Sequence, residues 1–96
     1  MCMIAEIKKR ALHRTKILQG QLKGLEKMID NEEYCADIII QSLAVQKSLS
    51  SLNKLVLENH LKTHVKDTLS SSEEKKQDAA IKELLTLYEL THVRGK

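Results

Sequence analysis

The sequence predicts an all-α protein, and three observations carry that prediction. Its 96 residues include no Phe, Trp or Pro and only two Tyr, so the residues that fill β-sandwich cores and close tight turns are missing. Of the three glycines, Gly20 and Gly24 lie early and Gly95 near the C-terminus, which leaves residues 25–94 without either strong helix breaker. Apolar residues recur at spacings of three, four and seven, the period of amphipathic helices rather than of strands. A chain of this length supports one core, so residues 1–96 read as a single helical domain.

The first helix is expected over about residues 5–29. Ile4, Ile7, Ala11, Leu18, Leu22, Leu25 and Ile29 form one stripe, and the basic residues mostly avoid it. Asp30-Asn31-Glu32-Glu33 interrupts the pattern, with Asp30 and Glu33 at capping-box spacing and Asn31 placed as an N-cap for a second helix from about residue 33. In that helix Ile38, Val45, Leu49, Leu52 and Val56 make a near-heptad seam flanked by Ile39, Ile40, Leu43, Leu55, Leu57, Leu61 and Val65. This surface is too wide for one partner helix. Running to about residue 68, the helix would be ~54 Å long, more than a compact chain of this size can cover, so a second chain must supply the cover. Ser70-Ser71-Ser72-Glu73-Glu74 holds two Ser-x-x-Glu capping boxes and leads into a third helix over about 73–92, carrying Ala79, Ile81, Leu84, Leu85, Leu87, Tyr88 and Leu90.

Charge is distributed unevenly along the chain. Residues 1–28 hold seven Lys or Arg against two Glu, a net +5, while residues 29–96 hold nine basic against eleven acidic groups, a net −2. A basic arm on a mildly acidic body favours an anionic partner, and a solvated helix face is the plainer reading of the same charges. With no aromatic platforms for stacking single strands, a nucleic acid partner would be a duplex held through its phosphates. No stretch reaches the ~18–20 apolar residues of a membrane span, and no signal-peptide core is present. Cys2 and Cys35 are too few for a disulfide scaffold, so a cytoplasmic protein with reduced thiols is expected. No nucleophile–base grouping, carboxylate pair or phosphate loop supports an enzyme.

Three side chains could hold a metal. His60 and His64 are spaced i,i+4, which puts both imidazoles on one helix face a turn apart; two half-exposed surface histidines would show the same spacing. Cys35 adds a soft donor, or else a small buried hydrophobe. Along one continuous helix it stands ~37 Å from His60, out of reach within one chain. An antiparallel copy of the helix changes that, because Cys35 of one subunit then meets His60 and His64 of its partner, and a symmetric dimer holds two such sites. Met1, Cys2 and Met3 are a loose terminus or additional soft ligands, and His13 and His92 read as surface residues.

Arg14-Thr15-Lys16-Ile17-Leu18-Gln19-Gly20-Gln21-Leu22-Lys23-Gly24, then Tyr34-Cys35, then His60-Leu61-Lys62-Thr63-His64, together resemble the CsoR/RcnR family of bacterial metal-sensing transcriptional repressors over about residues 6–90. The resemblance implies three-helix protomers with a long central helix, an antiparallel homodimer with a four-helix-bundle core, and a dimer of dimers, the homotetramer. It also implies double-stranded operator DNA bound in the metal-free form and released on metal binding. The implied ligands are Cys35 of one protomer with His60 and His64 of the other, with Tyr34 and Glu83 around them as in the copper-sensing branch. Lys8, Arg10, Arg14, Lys16 and Lys23 of the basic arm are then expected to contact operator phosphates, with Gln21 near the DNA as in the family.

The sequence also departs from the family pattern. Copper sensors often carry a second Cys where His64 stands, nickel and cobalt sensors carry a His near the position of Met3, and an Arg common in the middle of the second helix is replaced by Gln46. One thiolate with two imidazoles suits three-coordinate Cu(I), the expected metal, whereas Ni(II) or Co(II) needs further N or O donors and Zn(II) is a further alternative. An aldehyde-responsive member is another reading, since removal of Met1 would leave Cys2 with amine and thiol together. A reading of a different class is a helical oligomeric interaction protein in which the histidine pair is incidental.

Overall fold

The computed structural model describes residues 3–70 and 72–91. Its helical segments are α1 (Ala5–Asp30), α2 (Cys35–His60), a π-helical turn (Leu61–Val65), α3 (Lys66–Leu69) and α4 (Glu74–Thr91). No strand occurs among the described residues. The all-α expectation holds, as do three principal helices close to their expected bounds; Met1, Cys2, Ser71 and His92 lie outside the described residues. The chain forms two compact units, residues 1–59 and 60–96.

The first unit is an antiparallel helical hairpin. Its register is fixed by two polar contacts: the Ile4 N–H donates to Asn59 Oδ1 at 2.8 Å, and Gln41 Nε2 donates to the Gln21 carbonyl at 3.4 Å. In that register Ile7, Ala11 and Leu18 on α1 fall level with Leu55, Leu52 and Val45 on α2, and all but half-buried Leu52 are fully buried. Burying an Ile or Leu side chain of this kind contributes about 1.5–3 kcal/mol. The hairpin covers only one face of each helix. On α2 Ile39, Ile40, Leu43, Leu49, Val56 and Leu57 remain exposed, Ile40 to 64%.

The turn between the two helices differs from its sequence reading. Asn31 closes α1 as its C-cap instead of opening α2, and α2 begins at Cys35, two residues later than expected. The Glu33 N–H donates to the Met28 carbonyl and the Glu32 N–H to the Ile29 carbonyl, both at 3.0 Å. These are the two bonds of a Schellman motif, which requires a left-handed residue at the position after the C-cap. Glu32 occupies it with φ 51°. The position usually belongs to glycine, and this chain has none there. Tyr34 then starts α2 through its backbone, its carbonyl accepting from Asp37 at 2.9 Å and Ile38 at 3.2 Å.

In the second unit the long helix does not continue as α to residue 68. A π turn, with i→i+5 bonding, spans Leu61–Val65 before the short α3. Ser70 ends α3 as its C-cap, and its hydroxyl donates to the Asp67 carbonyl at 3.0 Å. That hydroxyl is therefore spent on the preceding helix, and the Glu73 carbonyl starts α4 by accepting from Lys76 and Gln77. Val65 and Ala80 are the buried apolar residues here, and Gln77 Nε2 donates to the Leu69 carbonyl at 3.2 Å.

Candidate functional site

The histidine pair straddles the junction of α2 and the π turn, His60 ending the helix and His64 lying in the turn. His60 is the last residue of α2, and the His60 and His64 rings stack with centroids 5.3 Å apart and planes 21° from parallel. Two imidazoles bound to one ion through nitrogens at about 2.0–2.1 Å have centroids roughly 5 Å apart, so this spacing suits a shared ion. His60 is largely covered, and its Nε2 donates to Glu83 Oε1 on α4 at 2.8 Å. A carboxylate on one ring nitrogen fixes the tautomer and leaves Nδ1 to face a ligand, the arrangement commonly found around metal-bound histidines.

Cys35 is the first residue of α2, and its thiol is exposed. Within the single chain Cys35 is thus not part of the hairpin core. Tyr34 beside it is 75% exposed. A 26-residue α2 is about 39 Å long at 1.5 Å per residue, so the thiol at its start cannot share an ion with the imidazole at its end. Accordingly, no group of three or more His, Cys, Asp or Glu side chains able to hold a metal occurs among the described residues. The donor chemistry of Cys35, His60 and His64 fits a soft, low-coordinate ion only when two chains contribute. Met3 is exposed ahead of α1, and Cys2 lies outside the described residues.

The basic residues of α1 do not share one face. Ile7, Ala11 and Leu18 define the buried stripe. Lys16 and Lys23, with Lys9 seven residues earlier, stand about half a turn away from it, while Arg10 and Arg14 lie on one flank and Lys8 on the other. All six are exposed. Lys9 was missed in reading the sequence, although its seven-residue spacing to Lys16 and Lys23 is visible there. Glu6, Lys9, Arg10, His13, Arg14 and Ile17 line a shallow groove, and Gly20, Lys23, Gly24 and Lys27 contribute to a second one further along the helix. Gly20 opens this surface further: a Cβ added there would meet nothing within 4 Å. Gln21 is different, half-buried with its Oε1 sealed from solvent and without a hydrogen-bond partner.

The described residues thus include a cationic first helix and a stacked histidine pair, one ring of which, His60, is held by a carboxylate. Residues 7–89 match the model of the metal-sensitive transcriptional repressors, and the chain belongs to that family, the CsoR/RcnR repressors. It is a family of regulators, not enzymes. The copper-sensing transcriptional repressor CsoR of Bacillus subtilis strain 168 is 33% identical over 81 residues, 84% of this chain and 77% of that protein. CsoR of Mycobacterium tuberculosis H37Rv is 43% identical over 56 residues, 58% of this chain, and the match spans about half (47%) of the mycobacterial protein's length. The crystal structure of CsoR with Cu(I) from Geobacillus thermodenitrificans superposes with a TM-score of 0.79 at 25% identity, covering 95% of this chain and 92% of that one. A variant of the formaldehyde-responsive regulator FrmR from Salmonella enterica serovar Typhimurium gives 0.67 at 30% identity, covering 88% and 93%. Among the described residues no helix is long and apolar enough to cross a membrane.

Proposed function

We propose that this chain is a cytoplasmic copper-responsive repressor, binding double-stranded operator DNA without metal and releasing it when Cu(I) is held by Cys35 of one subunit with His60 and His64 of its partner. The observation that carries the reading is the Glu83-oriented His60, stacked on His64, at the far end of the helix that begins with exposed Cys35. When bound, Cu(I) supplies a three-coordinate link between soft donors on two chains. Glu83 holds the His60 tautomer, and Tyr34 stands next to the thiol. Antiparallel pairing through the exposed face of α2 covers Ile39, Ile40, Leu43 and Leu57 and brings the two helix ends together. Two such dimers make the homotetramer, and both compact units of each chain act as one sensing and DNA-binding domain.

Lys8, Arg10, Arg14, Lys16 and Lys23 face operator phosphates, joined by Lys9. Gln21, half-buried on the same helix, stands near the DNA beside them. Binding therefore weakens steeply with salt as each neutralised phosphate gives up its counterions. Because Cys35 binds as thiolate and the imidazoles bind neutral, metal affinity falls as pH falls.

Ni(II), Co(II) or Zn(II) as the sensed metal is separated from Cu(I) by titrating the protein with each ion while following its binding to its own promoter fragment. Cu(I) alone releasing the DNA, with Cys35→Ala abolishing release, is the expected result. DNA binding indifferent to every metal overturns the reading. A formaldehyde arm belongs in the same titration, because the FrmR likeness and the exposed Cys35 thiol favour an aldehyde response as the second reading.

A further inference from the structure

Asn59 is the most deeply buried polar residue described, 2% exposed, on the hairpin face of α2. Its Oδ1 accepts the Ile4 N–H at 2.8 Å across fifty-five residues of sequence. Ile4 is the N-cap residue of α1, and no side chain of its own caps the helix. Asn59 thus does from another helix what the glutamate of a capping box does locally, satisfying the N–H at the cap position. Two features make this clasp more than packing. It seats the end of α1 from which Lys8, Arg10 and Arg14 follow within three turns, and Asn59 is bonded directly to His60, the residue oriented by Glu83.

We infer that Asn59 is the positioning residue through which metal occupancy at His60 reaches the basic residues of α1. This rests on the copper-responsive repressor reading above. A shift of the His60 backbone on ligation displaces the neighbouring carboxamide, and a clasp of one hydrogen bond is made or broken by a displacement of an ångström or so. With the clasp made, the first turns of α1 are held in place; with it broken, they fray, and the phosphate-facing cations lose their common frame.

Two variants remove the clasp from opposite sides. Asn59→Leu deletes the acceptor, and the carboxamide N–H with it, in a side chain of the same branching. Ile4→Pro deletes the donor along with the isoleucine side chain but keeps the backbone path, because Ile4 already sits at φ −62°, the value proline imposes. Operator affinity is measured with and without Cu(I) in the full chain, with Cu(I) affinity measured in the absence of DNA and helicity by circular dichroism. In the wild type, Cu(I) is expected to weaken operator binding by roughly 5–150-fold; in both variants that ratio falls towards one while Cu(I) affinity stays within about threefold. A merely structural role would not separate these quantities.

Should either variant fail to fold, hydrogen exchange at the Ile4 amide of the unaltered protein decides: it is expected to be protected without metal and to exchange at least about tenfold faster with Cu(I). Folded variants that keep the wild-type ratio, or an Ile4 amide indifferent to Cu(I), overturn the role of Asn59 and leave the repressor reading standing. A wild-type protein whose operator affinity ignores Cu(I) overturns both.

Discussion

The two units divide the work of the chain by different chemistry. Residues 1–59 are held by apolar interdigitation of Ile7, Ala11, Leu18, Val45 and Leu55, with Asn59 as the buried polar exception. Among the described residues of 60–96, Val65 and Ala80 alone are buried, and directional polar contacts join the rest, His60 to Glu83 and Gln77 to the Leu69 carbonyl. Close-packed apolar contacts resist displacement, whereas hydrogen bonds between half-exposed groups exchange readily for bonds to a ligand. The first unit is suited to holding its cations in one frame while the Asn59 clasp is made, and the second to changing state.

That contrast can be broken most forcefully at Leu18. Leu18→Ala removes a buried side chain from the hairpin core and is expected to cost about 3 kcal/mol in urea unfolding, while Cu(I) affinity of the folded fraction is unchanged. Glu83→Gln should do the reverse, lowering metal affinity roughly 10–100-fold with little change in the unfolding midpoint. A large midpoint shift there would show that the polar contacts of the second unit are structural after all. Arg14→Ala is expected to weaken operator binding about tenfold and to reduce the salt slope by about one, without affecting either of the other measurements. The smallest change sharpens the picture of the hairpin itself: Glu32→Gly relieves the left-handed backbone and should add about 1 kcal/mol, read as a rise in the unfolding midpoint.

The helices were legible because nothing in residues 25–94 opposes them and because their apolar stripes are long. The joints were not. Asp30-Asn31-Glu32-Glu33 contains good N-cap residues, yet the turn is made as a C-cap, since glutamate was accepted where glycine would have announced it. The π turn at Leu61–Val65 has no breaker and no spacing that marks it. Asn59 had a signal that went unread: with Ile38, Val45 and Leu52 it completes a run at seven-residue intervals, so a polar residue stood in an apolar seam. His60, His64 and Cys35 were visible through donor type and spacing, whereas Glu83 came only from the family resemblance, because its partner His60 is twenty-three residues away.

The left-handed Glu32 decides more than a bend. Were residues 31–34 to take up the ordinary helical basin together, α1 would run straight into α2 as a rod of about 84 Å. A rod of that length has no hairpin partner of its own and would find one only in a second molecule, trading identical arms. A β-branched residue at this position, which tolerates the left-handed basin worst, therefore loosens the hairpin and favours exchange of arms between two chains.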